Sequence, residues 1–100
     1  MSEENFKDIN SNIVFVGSKP LINYVKSISM QLKSSQEVLV KARGKFITKA
    51  VDIVEVSKRS KEIEVKIKDI RIGTEEYDGK DQQGNDKKIR VSTLDILVGK

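Results

Sequence analysis

The stretch that decides the fold reads EVLVKARGKFITKAVDIVEVSKRS and covers residues 37–60. Residues 37–43 carry the apolar pattern of a buried strand, and Gly44 ends it. From Lys45 to Ser60 the apolar residues recur every three or four positions, which is the period of a helix. This stretch therefore predicts a strand that turns directly into an amphipathic helix.

The same succession of strand and helix precedes it. IVFVG (13–17) is a short apolar run closed by glycine, and PLINYVKSISMQLKSS (20–35) has a one-sided apolar stripe that begins with Pro20 at the first helical position. Residues 1–12, MSEENFKDINSN, are acidic, polar and without a period. We therefore expect a flexible acidic tail over residues 1–12 and a single domain over residues 13–100.

Two further strands are predicted after the second helix. EIEVKIKDIRI (62–72) alternates apolar and polar residues and then changes phase, which indicates a bulge or strong twist near Asp69. Residues 74–88 contain Gly79 and Gly84 and no apolar period, so they predict an extended, exposed β-hairpin arm. KIRVSTLDILVGK (88–100) is the fourth strand. The order βαβαββ predicts an α+β two-layer sandwich, in which a mixed four-stranded sheet carries both helices on one face.

The basic charge is concentrated in one part of the chain. Residues 1–12 have one lysine against three acids (−2), residues 13–59 have nine cations against three acids (+6), and residues 60–100 have nine against nine (0), which gives the net charge of +4. A segregated charge of this kind is a directed field, and it indicates a negatively charged partner.

Two strand-to-helix turns lie within this basic segment. The first is Gly17-Ser18-Lys19-Pro20, and the second is Lys41-Ala42-Arg43-Gly44-Lys45. Because parallel strands end at the same edge of a sheet, we expect the two turns to be neighbours, with free backbone N–H groups and helix N-termini facing an anion. The expected anion is phosphate. The nucleotide-binding patterns GxxxxGK[ST] and GxGxxG are missing, so cations spread over two turns fit a run of backbone phosphates better than one nucleotide.

Other kinds of function have little support. The sequence has no histidine and no cysteine, which removes the usual general base and the best nucleophile, so we do not expect an enzyme. No cofactor, no metal site and no membrane association are expected. Tyr24 and Phe46 are interpreted as packing residues rather than as stacking surfaces for unpaired bases.

The residues VGSKPLINYV (16–25), VKARGKFITKAVDIVEV (40–56), IRIGTEE (70–76) and KIRVSTLDILV (88–98) resemble the Alba family of archaeal chromatin proteins. The resemblance implies a fold like the C-terminal domain of translation initiation factor 3, a homodimer, and binding of double-stranded DNA and of RNA with little sequence preference. It also implies a role in chromosome architecture and DNA condensation in the cytoplasm, at the nucleoid.

By position, the resemblance implies a set of nucleic-acid-binding residues in the two turns and the arm. They are Ser18, Lys19, Lys41, Arg43, Gly44, Lys45 and Lys49 at the turns, and Lys80, Lys87, Lys88 and Arg90 in or beside the arm. Ser18 stands where the family commonly has a first lysine. From Asp78 to Lys88 three lysines face three aspartates, so we expect the arm to grip nucleic acid only modestly.

A dimer is also indicated by the second helix. At about 100° per residue its apolar residues cover a broad arc, wider than packing on one sheet face requires. We therefore expect the dimer interface at Phe46, Ala50, Ile53 and Val54, although a helix wedged between the sheet and the first helix would use the same arc internally. Three alternative functions stay open at this point: an RNA chaperone or ribonucleoprotein subunit such as that of ribonuclease P, a small enzyme with a phosphate-bearing ligand, and a protein-interaction scaffold.

Overall fold

The helices and strands follow the predicted order in a computed structural model that describes residues 12–100. Residues 1–11, which hold nearly all of the predicted acidic tail, lie outside the described residues. The elements are β1 (Ile13–Phe15), α1 (Leu21–Ser34), β2 (Glu37–Arg43), a 3₁₀ turn (Gly44–Phe46), α2 (Ile47–Lys58), β3 (Lys66–Lys80) and β4 (Asp86–Gly99).

The four strands form one mixed sheet in the order β1-β2-β4-β3. β1 runs parallel to β2, with Phe15 opposite Lys41, while β4 is antiparallel to both β2 and β3. The prediction of a mixed sheet whose first two strands are parallel is confirmed. Both β1 and β2 therefore end at the same edge, immediately before the two turns.

One core lies between the helices and one face of the sheet. Alternate residues of β2 and β4 point into it, because the side chains of a strand alternate between its two faces. The strands contribute Val38, Val40, Ala42, Leu94, Ile96 and Val98, and the helices contribute Tyr24, Ile28, Leu32, Ala50, Ile53 and Val54. Burial of one such aliphatic side chain contributes roughly 1.5–3 kcal/mol. No helix of residues 12–100 lies on the opposite side of the sheet, which we call the helix-free face.

The expected dimer interface on α2 is corrected by this packing. Ala50 and Ile53 are fully buried within the single chain, Val54 is 1% exposed, and Phe46 packs partly buried against the same core. The helix packs against both the sheet and α1, so most of its apolar arc is used inside one chain. Ala50, Ile53 and Val54 therefore offer a partner almost no surface.

The third strand begins later and ends later than the sequence indicates. Lys66 pairs with Gly99, the last residue of β4, so residues 62–65 have no partner on that strand. Ile63 and Val65 instead pack against the core, which explains their apolar alternation. The predicted irregularity is confirmed, because the register of β3 against β4 shifts between Ile67 and Asp69.

Residues 74–88 form a long hairpin. β3 and β4 remain paired as far as Lys80 and Asp86, and only residues 81–85 make the turn. Most side chains here are exposed on both faces, so the sequence shows no apolar alternation even though the backbone is a strand. Gly79 leaves room for the Ile89 side chain, since a Cβ atom there would lie 2.2 Å from Ile89 Cδ1.

Candidate nucleic-acid interface

The two strand-to-helix turns lie side by side at one edge of the sheet. The backbone N–H of Val16, just before the first turn, donates to the carbonyl oxygen of Lys41 at 2.9 Å. This bond continues the parallel pairing of β1 and β2 beyond the last residue of β1. Residues 17–19 and 43–45, about two dozen positions apart in sequence, thereby flank the same end of the sheet.

Lys49, in the first turns of α2, ties the second helix to the first turn. Its ammonium group donates to the carbonyl oxygen of Gly17 at 2.7 Å and also to that of Lys19. The same nitrogen lies 5.3 Å from the centre of the Tyr24 ring, within the range of a cation–π contact. An ammonium has three N–H donors, so two are used within the protein and one is left for an anion.

Tyr24 fixes the shape of the first turn from inside the fold. Its hydroxyl oxygen accepts hydrogen bonds from the backbone N–H of Gly17 at 2.9 Å and of Lys19 at 3.2 Å. The expectation that this turn offers free N–H groups to an anion is therefore wrong at these two positions. The hydroxyl group of a buried tyrosine needs a hydrogen-bond partner. Because Tyr24 lies in the first turn of α1, the sequence could have indicated that its hydroxyl group bonds to the turn just before the helix.

Gly44 makes the second turn possible. Its φ angle of +58° lies in the left-handed region, where a side chain would be strained, and this conformation sends the chain from β2 into the 3₁₀ turn. Lys45 follows at once and is exposed, with its ammonium 5.4 Å from the centre of the Phe46 ring. Lys19, Lys45 and Lys49 form what we call the basic edge; none of the three has a carboxylate partner among residues 12–100.

The other two cations of β2 lie on the helix-free face and have acidic partners. Lys41 is 3.6 Å from the carboxylate of Asp95, and Arg43 is 2.7 Å from that of Glu75. The Arg43 and Glu75 side chains are 62% and 52% exposed, so this ion pair is on the surface. The predicted turn cations are thus divided between the basic edge and an adjoining sheet surface on which they are already paired.

The arm shows the same pairing. Lys80 binds Asp86, Lys88 is 2.7 Å from Asp78, and Arg90 is 3.0 Å from Glu76. Lys87 is the one predicted arm cation for which the described residues supply no carboxylate. The equal numbers of lysine and aspartate from Asp78 to Lys88 predicted an arm with no net charge. Which lysine pairs with which aspartate depends on the register of β3 and β4, which the sequence did not predict.

Comparison with known proteins places the fold in a family whose named members are DNA/RNA-binding proteins. The sequence profile of the Alba family matches residues 12–74. The "DNA/RNA-binding protein Alba" of Methanococcus maripaludis is 46% identical over 91 residues, which cover 89% of this chain and 98% of that protein. The "DNA/RNA-binding protein Alba 1" of Archaeoglobus fulgidus is 40% identical over 90 residues, covering 89% and 96%. The chain belongs to the Alba family.

Solved structures agree with this assignment. Alba from Thermoplasma volcanium superimposes with a TM-score of 0.76 at 36% identity, covering 89% of this chain and all of that one. ALBA1 from Trypanosoma brucei gives a TM-score of 0.71 at 27% identity, covering 93% of this chain and 72% of the other. The predicted fold is confirmed by both.

The side chains and helices of residues 12–100 also bear on metal binding and on membrane spanning. No cluster of three or more potential metal ligands occurs in this part of the chain. Neither of its helices is long and apolar enough to cross a membrane.

The Tyr24 hydroxyl group is expected to stabilise the first turn. Replacing Tyr24 by phenylalanine removes the acceptor of two backbone N–H groups, which should lower the free energy of unfolding by about 1–2 kcal/mol. Amide hydrogen exchange at Gly17 and Lys19 should accelerate. Urea denaturation and exchange measured by NMR test this, with Tyr77→Phe, at an exposed tyrosine, as the matched control. Equal effects of the two substitutions would show that the hydroxyl group of Tyr24 has no structural role.

Proposed function

We propose that this chain is a non-enzymatic protein that binds double-stranded DNA and RNA through their backbone phosphates, with little sequence preference, as a homodimer. Residues 13–100 act as one binding domain with residues 74–88 as its arm. The function is architectural: coating and compacting the chromosome in the cytoplasm, at the nucleoid. The observation that carries this proposal is the basic edge, where cations from two separate turns are held together at one end of the sheet.

The geometry favours a polymer of phosphates over a single ligand. Lys19 and Lys45 project from two different turns, and Lys49 sits between them with one donor left. Separate point charges along an edge match successive phosphates of a backbone, and point charges carry no information about bases. The relatives are named DNA/RNA-binding proteins, which supports such a partner.

Arg43 adds to the same surface through an exchange of partners. Its pair with Glu75 is more than half exposed on both sides, and an exposed ion pair contributes at most about 1 kcal/mol. A phosphate can therefore replace the carboxylate at small cost. Lys41 has the same option with Asp95, although Asp95 is less exposed.

Substitution of Lys19 by alanine is expected to weaken binding to unrelated DNA duplexes about equally. The slope of log affinity against log salt should flatten by about 1 for each subunit contact, because one phosphate is no longer neutralised. Fluorescence anisotropy at several salt concentrations measures both quantities. Lys66→Ala is the matched control, since Lys66 pairs with Gly99 at the opposite end of the sheet, about 20 Å along β2 from Arg43. Equal losses for the two variants would place the phosphates on another surface.

The exchange at Arg43 has its own test. Glu75→Gln removes the competing carboxylate, so binding to duplex DNA should tighten roughly two- to fivefold, which is the range that an exposed ion pair can supply. Glu64→Gln changes the net charge by the same amount but releases Lys66, at the far end of the sheet. If both variants tighten binding equally, the gain comes from net charge and Arg43 does not exchange partners.

The homodimer is assigned to a surface other than the buried arc of α2. Ile67, Ile70 and Ile72 of β3 face the helix-bearing side of the sheet, because they pair with Val98, Ile96 and Leu94. They are nevertheless 38%, 49% and 78% exposed, and Val51 of α2 is 44% exposed on the same side. An apolar strip on an edge strand is typical of a two-fold interface. We call the three isoleucines together with Val51 the isoleucine strip.

A charge within the isoleucine strip should separate the subunits. Ile72→Asp places a carboxylate at its most exposed position, and the protein should then sediment as a monomer at micromolar concentration while the parent sediments as a dimer. Ile22→Asp is the control, since Ile22 is 50% exposed on α1. A monomeric parent, or a dimer unaffected by Ile72→Asp, would contradict this assignment.

A further inference from the structure

The helix-free face forms a shallow concavity of about 860 Å³ next to the basic edge. Its lining includes two aromatic side chains that the sequence did not single out, Phe15 and Tyr77. Tyr24 and Phe46, the two aromatics weighed as stacking surfaces, are buried and partly buried respectively. Phe46 also lines the concavity, but less of its side chain is exposed. Among residues 12–100, Phe15 and Tyr77 are the aromatic side chains most open to solvent, and both lie on the helix-free face.

Phe15 is placed there by the alternation of β1. Val14 points into the core and is 4% exposed, so its neighbour Phe15 points to the helix-free face, where it is 68% exposed. Phe15 lies opposite Lys41 in the register of β1 and β2. The Phe15 ring is thus largely open to solvent at the strand position next to Lys41.

Tyr77 reaches the same face from the arm. Beyond the irregularity of β3, residues 71, 73, 75 and 77 share the helix-free side, and Tyr77 is 45% exposed. Across the four strands, Arg71 is aligned with Asp95, Lys41 and Phe15. Tyr77 lies six residues beyond Arg71 on β3, which is about 20 Å of extended strand from this line of residues. Two rings at that separation cannot enclose one base, but they can each take a different base of one strand.

Charge on this surface suits a polyanion. The concavity is lined by Lys41, Arg43, Lys45 and Arg71 against two acids, Glu75 and Asp95. Cations interleaved with exposed aromatic rings are the combination that binds single-stranded nucleic acid, because the backbone is held by charge and each base offers a flat face to a ring. A stacked duplex offers no such faces along its length.

We propose that the helix-free face binds unpaired bases of single-stranded DNA or RNA, with Phe15 and Tyr77 as stacking surfaces and Lys41 and Arg43 on the intervening phosphates. This site rests on the proposed function in one respect, since the adjoining basic edge supplies part of the attraction for the backbone. The two surfaces differ in what they bind. The basic edge binds phosphates of single or double strands, whereas the aromatic rings bind only bases that are free to stack.

Phe15→Leu is the central test, because it keeps an apolar side chain at an exposed position and removes the aromatic face. The probes are a fluorescent 12-residue single-stranded oligonucleotide of mixed sequence and the duplex of the same sequence, titrated at one salt concentration. The affinity for the single strand should fall between about fivefold and a hundredfold, the range for loss of one base–aromatic stack. The affinity for the duplex should change less than twofold. Met30→Leu, at a side chain that is also 68% exposed but lies on α1, should change neither.

A second variant reads out stacking directly. The protein has no tryptophan, so Phe15→Trp introduces a unique fluorophore at the site. Its emission should be quenched by the single strand at saturation and unchanged by the duplex. Quenching by both, or by neither, would contradict stacking at Phe15.

The remaining outcomes separate this proposal from the proposed function. If Phe15→Leu weakens single strand and duplex equally, Phe15 belongs to the general phosphate surface and the stacking site is overturned. If it weakens neither, or if it shifts the sedimentation of the protein from dimer to monomer, the face does not bind bases and the proposal is also overturned. A parent protein that binds the single strand through Phe15 but fails to bind duplex would overturn the proposed function and uphold the stacking site.

Discussion

The parallel pairing of β1 with β2 is the constraint on which the basic edge depends. β1 has only three residues, and its ladder with Leu39–Lys41 is extended by one backbone bond at each end, from Val16 N–H to the Lys41 carbonyl and from Leu39 N–H to the Asn12 carbonyl. So short a strand leaves the following turn weakly determined, and the contacts of Lys49 and Tyr24 with Gly17 and Lys19 supply what the ladder lacks. A lysine predicted to contact phosphate is therefore also part of the scaffold that positions Lys19.

Electrostatics divides the cations of the protein into two groups. On the sheet and the arm, cations such as Arg43, Lys88 and Arg90 have carboxylate partners, whereas Lys19, Lys45 and Lys49 at the basic edge have none among the described residues. Exposed ion pairs are weak, so the paired cations stay available for exchange with phosphates. In the proposed function, a polyanion first binds at the unpaired cations, and the paired cations let the contact spread across the helix-free face and along the arm.

The sequence was sufficient for the order of elements, the parallel start of the sheet, the meeting of the two turns and the irregularity near Asp69, because each follows from periodicity or from the connection rules of βα units. Predictions from the sequence were wrong where the same apolar pattern is compatible with two different structures. The alternation of Ile63 and Val65 arises from packing of a connecting segment, and the broad arc of Ala50, Ile53 and Val54 from a helix enclosed by its own chain. Partners such as Glu75 for Arg43 depend on a cross-strand register that composition does not contain.

The irregularity in β3 determines which side chains of this strand face the helix-bearing side of the sheet and which face the helix-free side. Ile67 faces the helix-bearing side, and in an uninterrupted ladder the alternation would send Ile70 to the helix-free face and Arg71 to the other. The extra residue, Lys68, restores Ile70 and Ile72 to the side of Ile67, and its side chain crosses Gly99 to lie 3.8 Å from Glu37. The same shift sends the later polar and aromatic residues of the strand to the helix-free face. Because Lys68 stays outside the ladder, the apolar strip proposed for a second subunit is separated from the basic, aromatic surface proposed for nucleic acid. If Lys68 entered the ladder, Ile70 and Ile72 would move to the helix-free face and Arg71 to the opposite face.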